Sequence, residues 1–276
     1  MLIQHYQRRY PLDLPDWTFI DVLHNSTNAV IFLAENTAGQ RAAIKRFKFR
    51  TDRLGDSAIE HFHAGIRQIE TQHYHSLVKL WQGGINHSVI YLVMEFVQGK
   101  TLKSILQQQP LPSITTRLQW FLEITQALQR VHALDMLHLD LKTSNIMVRD
   151  MEKTITLIDF GLETRLLLEA GFLHEDEIYC TPYYVSPERI MGETPDARAD
   201  LYALGVILYE LLTGEKPYES TSLSTLLKMH AIAPIPRLPE TFTTYQPLLN
   251  QLMAKFPEGR LDSATDVLYW LHHHSV

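Results

Sequence analysis

The hydrophobic positions of this chain change their period once. Apolar and polar residues alternate in short runs at 17–22, 29–35 and 41–48, separated by the turn-rich HNSTN and ENTAGQ. That period of two lays one face of a strand on a core. Two further strand-like runs follow at 77–82 and 89–96, around the turn expected at GGINHS. A single interruption, at 58–73, sets Ile59, Phe62, Ile66 and Ile69 at three- and four-residue offsets and predicts a helix. After Thr101 the period is helical, at 114–133, 200–213, 223–230, 245–255 and 263–272, with one short strand-like pair at 146–148 and 156–158. The pattern predicts an α+β chain of two lobes. Residues 1–16 read as an N-terminal extension, 17–96 as a small antiparallel β lobe with one helix, and 97–276 as a larger, mainly helical lobe. Two lobes imply a cleft, the usual place for a ligand.

Composition removes alternatives. The chain has 276 residues, 45% hydrophobic and 20% charged, which fits a globular protein and neither disorder, collagen nor a coiled coil. Lys and Arg number 25 against 31 Asp and Glu, a formal charge of −6, so nucleic-acid binding through clustered cations is not expected. The single cysteine, Cys180, excludes an intramolecular disulfide and a Cys-rich zinc site. The N-terminal MLIQHYQRRY lacks the apolar core of a secretory signal. The longest apolar stretch, 201–212, is too short for a bilayer and carries Glu210, so it reads as a buried helix. A cytoplasmic protein without a membrane segment is expected, and a signal-less exported effector would read the same way. His61 and His63, and likewise His73 and His75, are two residues apart, whereas paired ligands on a helix need three or four, so these histidines are expected to be solvated or packed.

The chemistry concentrates at His138-Leu139-Asp140-Leu141-Lys142-Thr143-Ser144-Asn145 and, after a strand–turn–strand, Asp159-Phe160-Gly161. An Asp and an Asn five apart on one loop, with a second Asp beyond a hairpin, can converge on one pocket. Phosphoryl transfer from a nucleotide needs such groups: one carboxylate to orient a hydroxyl and take its proton, other oxygens to hold Mg²⁺ on the phosphates. It also needs a fixed cation, which Lys45 offers at the end of a strand-like run.

These residues resemble the motifs of the eukaryotic-like serine/threonine protein kinase catalytic domain, over nearly the whole chain. Ala42-Ala43-Ile44-Lys45 is similar to the third-strand lysine motif, HLDLKTSN to the catalytic loop and Asp159-Phe160-Gly161 to the metal-binding triplet. TPYYVSPE, from Thr181 to Glu188, resembles the substrate-docking segment, and Asp200 the start of the central buried helix. The resemblance implies ATP and Mg²⁺ as cofactors and a two-lobed fold. It makes Asp140 the base, Lys142 a γ-phosphate contact, Lys45 a contact to the α- and β-phosphates, and Asn145 and Asp159 metal ligands. Met94 would be the gatekeeper, Glu95 and Val97 would read adenine, and Val30, Ala43 and Met147 would sandwich it. His138 would pack beside the triplet, Asp200 would cap its helix and hold the loop backbone, and Glu188 would pair with Arg260. Lys142, and Thr181 before Pro182, resemble the serine/threonine branch, which implies a protein hydroxyl as substrate. The short loops are similar to those of bacterial members.

The chain departs from that pattern in three places. The slots of the glycine-rich loop hold Leu23, Asn25 and Asn28. Asn is expected to supply the left-handed backbone that glycine would, and weaker ATP binding follows. Counting back nine residues from His75 to the family's helix glutamate lands on Ile66, so Glu70, one turn on, is the expected partner of Lys45. If no glutamate reaches Lys45, the helix is displaced or moved by a regulatory protein partner. Leu139 replaces the arginine that pairs with a phosphate on the activation loop, so activation by that contact is not expected. Two readings follow. One is an active Mg-ATP-dependent kinase; the other is a pseudokinase acting as a nucleotide-binding or scaffold module.

Overall fold

Alternation at 17–48 and 89–95 builds a five-stranded antiparallel sheet in the computed structural model, which describes residues 2–51, 54–70, 74–151, 153–159 and 182–274. The strands are β1 (Trp17–Asn25), β2 (Ala29–Asn36), β3 (Arg41–Arg50), β4 (Leu80–Asn86) and β5 (Val89–Glu95), in the order β1-β2-β3-β5-β4. They belong to a compact unit that runs to Gln98; a second unit begins at Gly99.

The helix expected at 58–73 of the small unit, α2, spans Asp56–Glu70 and buries Ala58, Phe62, Gly65, Ile66 and Ile69. It lies close on β4 because Gly83 has no side chain. A Cβ at Gly83 would stand 2.7 Å from Cδ1 of Ile66 and 2.9 Å from Cδ2 of Leu92. This corrects the expected turn: Gly83 and Gly84 are inside β4, and the β4–β5 hairpin turns at His87 and Ser88, with φ of 48° and 64°. Two consecutive positive φ values match the right-handed twist of the flanking strands.

Residues 1–16 carry more structure than an extension implies. Leu2–Arg9 forms a helix, α1. Ile3, Tyr6, Tyr10 and Leu12 pack, with Trp17 and Phe19, against the buried cluster of Val30, Phe32, Ala34, Ala42, Ile44 and Leu14. Positions 3, 6 and 10 are a helical stripe, too short for a periodicity window to register.

In the larger unit, α3 (Leu102–Leu106), α4 (Ile114–His132), α5 (Pro187–Ile190), α6 (Ala197–Thr213), α7 (Leu223–Ile232), α8 (Gln246–Leu252) and α9 (Ala264–His274) surround a three-stranded sheet of β6 (Gly99–Thr101), β7 (Ile146–Arg149) and β8 (Ile155–Leu157). Helix α6 is buried on nearly every side and packs against α4 and α8. Ser113 caps α4, its Oγ accepting from the N–H of Thr116 at 3.1 Å. Gly214 ends α6 at φ 79°, the left-handed conformation that closes a helix. Arg117 of α4 donates to the last carbonyls of α6, at Leu211 and, at 3.1 Å, Leu212. Among the described residues no helix is long and apolar enough to cross a membrane.

Candidate active site

The loop between α4 and β7 carries the first group of candidate residues. Asn145 donates from Nδ2 to Oδ2 of Asp140 at 2.9 Å and to its backbone carbonyl at 3.0 Å. Lys142 Nζ lies 2.6 Å from the same Oδ2. A cation and an amide on one oxygen fix the plane of the carboxylate. The carbonyl of Asn145 accepts from the N–H of Ile158 at 2.9 Å, which brings Asp159 alongside. Asp159 itself has φ 70°, left-handed for a residue with a side chain. With its amide nitrogen on Asp140, Asn145 presents Oδ1 as its acceptor. One amide oxygen and one carboxylate suit magnesium, which prefers oxygen and takes few protein ligands beside phosphate. No group of three or more His, Cys, Asp or Glu lies together among the described residues, so a dedicated all-protein cage is not what these residues form.

The loop backbone is held from below. Leu139 is buried and has φ 55°. Asp200, 1% exposed, accepts from the N–H of Leu139 at 2.7 Å, from that of His138 at 2.8 Å and from His132 Nε2 at 2.9 Å. Burial alone would raise the carboxyl pKa of Asp200. The hydrogen bond and charge of His132 and the backbone donors outweigh it and hold it below the usual value. Asp200 is not the helix cap: the side chain of Asp196 takes that place, accepting from the N–H of Arg198. Asp200 sits in the first turn and is left for the loop. His138 is fully buried, and neither ring nitrogen has a partner among the described residues.

A second network runs under Thr143. Its hydroxyl meets Tyr184 Oη at 2.8 Å and Glu210 at 3.2 Å, Tyr184 donates to Glu210 at 2.5 Å, and Lys216 donates to both Tyr184 and Glu210. Burial, with the Glu210 charge behind it, raises the Tyr184 phenol well above its ordinary value. Sequence reading assigned none of these four, although Glu210 in an apolar helix was a signal, because a buried charge needs a partner. Glu188 and Arg260 meet as a buried bidentate pair at 2.6 and 2.8 Å. Burial would raise the Glu188 carboxyl, but the hydrogen bonds and charge of Arg260 pull it below the usual range.

In the small unit, Lys45 is 3% exposed on β3, opposite Ile31 and Leu92, with Nζ 5.1 Å over the ring of Phe47. Ala43 shares its row, opposite Leu33 and Met94; Val30 lies opposite Arg46, in the row of Phe32 and Ile44. Met94 and Val97 are buried, and Glu95 donates its N–H to the carbonyl of Lys79. Met147 belongs to the large unit, on β7 opposite Thr101 and Thr156. Glu70 does not meet Lys45: it is exposed at the last position of α2, while Ile66 fills the close approach over Gly83. A carboxylate at Ile66 would be pressed into apolar surface.

The expected left-handed asparagines are also corrected. Leu23 is the extra residue of a bulge between Val22 and His24, Asn25 pairs with Val30, and none of Leu23, Asn25 and Asn28 has positive φ. A tight turn over 26–29, closed by Ser26, takes the place of an open glycine loop. Phe160, Gly161 and Thr181 lie outside the described residues, as does Cys180.

Comparison with known proteins agrees with this geometry. A family model described as a protein kinase domain matches residues 25–272. A probable serine/threonine-protein kinase of Clostridium acetobutylicum is 32% identical over 199 residues, covering 70% of this chain and 30% of the relative. The serine/threonine-protein kinase Pkn1 of Myxococcus xanthus is 30% identical over 84% of this chain and 34% of its own length. PrkC of Bacillus subtilis is 27% identical over 91% and 39%. The chain thus spans between three and four tenths of the length of these relatives.

Proposed function

Since the chain belongs to the protein kinase family, we propose that it transfers the γ-phosphate of ATP to a serine or threonine hydroxyl of a protein. The observation that carries this reading is the held carboxylate: Asp140 is fixed by Lys142 and Asn145, and the Asn145 carbonyl in turn holds the N–H of Ile158, the residue before Asp159. Asp140 orients the substrate hydroxyl and accepts its proton as the oxygen bonds to the γ-phosphorus and the bond to the β-phosphate oxygen breaks. Lys142 neutralises charge on the transferred group. Asn145 and Asp159 would hold magnesium, which when bound would neutralise charge on the phosphates. Lys45 serves the α- and β-phosphates from its own sheet. Glu95 and Val97 read adenine, with the apolar Ala43 and, from β7, Met147. Val30 falls outside that set, because it sits in the row of Phe32 and Ile44, on the face of the sheet that α1 packs against and not on that of Ala43 and Lys45. The serine/threonine kinase names of the relatives support the choice of substrate class.

The test is transfer of labelled phosphate from Mg-ATP to a generic protein or to the chain itself. Asp140→Asn and Lys45→Met are expected to abolish it, and equal signal in all three proteins rejects the proposal. A second reading has its own support: Glu70 is exposed at the end of α2 while Lys45 is buried, and the β1–β2 loop lacks glycine. Under it the chain is a nucleotide-binding scaffold, and Mg-ATP raises Tm without any transfer.

A further inference from the structure

The N-terminal helix and the β1–β2 loop are tied together, and nothing in the kinase reading requires it. Two tyrosines make the ties. Tyr6 Oη accepts from Nδ2 of Asn25, the last residue of β1, at 3.1 Å. One helical turn later, the ring of Tyr10 lies 5.0 Å from Nζ of Lys48, 5.4 Å from Cζ of Arg46 and 5.5 Å from Cζ of Arg9. Lys48 continues into the loop: Nζ donates to the carbonyl of Ser26 and the backbone N–H to that of Asn28, at 2.7 Å.

These contacts set the orientation of the turn. The carbonyls of Ser26 and Asn28 are drawn toward Lys48, and Ser26 closes the turn through the N–H of Ala29. The N–H groups of Thr27 and Asn28 take no partner among the described residues. Successive backbone N–H groups in a turn form a concavity that suits an anion. A glycine loop reaches such a state through its own freedom; this loop has no glycine and takes its shape from outside.

We propose that residues 2–14 form a brace that sets the conformation of the β1–β2 loop, with Tyr6 and Tyr10 as positioning residues for the nucleotide phosphates. The second half rests on the kinase reading, in which this loop covers the phosphates; the first half does not. The brace substitutes for glycine: order supplied by the N-terminal segment lowers the cost of fixing the loop when nucleotide binds. Tyr6 and Tyr10 act through Asn25 and Lys48 and touch no reacting atom.

The test uses Tyr6→Phe, which removes one hydroxyl, Tyr10→Leu and the double variant, with the exposed Tyr269→Phe of α9 as control. Amide exchange of residues 23–30 without nucleotide reads the brace, and steady-state kinetics read its consequence. Faster loop exchange is expected in each brace variant, with a KM for ATP raised about threefold to tenfold and kcat within about twofold, since ground-state positioning is what is lost. The control should match wild type in both. Loop exchange equal to wild type overturns the brace; faster exchange with KM unchanged overturns the positioning role. A wild type that neither binds Mg-ATP nor transfers phosphate defeats the kinase reading, and exchange still decides the brace.

Discussion

Arg189 donates from Nη1 to the backbone carbonyl of Leu139 at 2.5 Å. Leu139 occupies the place where the family resemblance leads one to expect an arginine, and an arginine from α5 secures its backbone instead. A left-handed conformation at a bulky residue costs about 1–2 kcal/mol and persists only where neighbours enforce it. Here Asp200 grips the N–H side and Arg189 the carbonyl side. Arg189→Met is expected to lower kcat about tenfold, equivalent to about 1.4 kcal/mol of positioning, with Tm nearly unchanged. Phosphate transfer and a melting curve on the same preparation check it, and wild-type kcat would mean that Asp200 suffices.

The buried leucine also predicts indifference to phosphorylation. Leu139 is 7% exposed and carries no donor for a phosphate. Protein treated with phosphatase and repurified is expected to keep its activity within about twofold of untreated protein. A collapse of the initial rate after treatment would assign the switch to another cation.

Glu188 and Arg260 are 3% and 5% exposed, so removing one partner strands the other. Glu188→Gln is expected to destabilise the large unit by about 3–5 kcal/mol. Arg260→Met with Glu188→Met should recover much of that, as apolar pairs often replace buried ion pairs at little cost. Denaturant titration of Glu188→Met, Arg260→Met and the double variant measures the coupling. Additive losses would reject it.

His230 supplies a pH dependence. It is fully buried, its Nδ1 2.9 Å from Tyr202 Oη, and its pKa is pushed down to about 3 by burial and then by the charges of Lys255 and Lys216. The folded state keeps the ring neutral while the unfolded chain takes a proton below about 6.5. Stability is therefore fully present above that value and falls as pH drops toward 3. The slope approaches about 1.4 kcal/mol per pH unit for one proton. Between pH 6.5 and 5, where carboxylates contribute little, His230→Gln should flatten the decline. Parallel curves of Tm against pH would refute it.

Gly83→Ala tests the seat of α2. The added methyl would meet Ile66 at 2.7 Å, and overpacking of this kind costs about 1–3 kcal/mol. Thermal melting reads it, and Ile66→Val in the same chain should restore part of the loss.

Which of these features the sequence discloses follows from range. Alternation and 3.6-residue periodicity are local, and the strands of the sheet and helices such as Ile114–His132 and Ala197–Thr213 follow from them. Asp140, Lys142 and Asn145 converge because they share one short loop. Glu70 was misplaced because the seat of α2 is decided by Gly83, on another element. The turn at His87 and Ser88 was hidden behind glycines that serve packing instead. Tyr184, Glu210 and Lys216 join Thr143 only through tertiary contact, and Tyr6 reaches Asn25 across 19 residues with no motif to mark it.

The bidentate pair of Glu188 and Arg260 bridges 72 residues of sequence, which bears on the order in which a ribosome delivers the parts. At translation speeds of about 5–20 residues per second, Glu188 emerges some four to fifteen seconds before its partner. Until Arg260 arrives, the segment ending at Glu188 keeps a carboxylate it cannot bury. A nascent chain that already carries Asp140, Asn145 and Asp159 therefore still lacks the partner of Glu188. Completion of this buried pair waits for Arg260, late in the large unit.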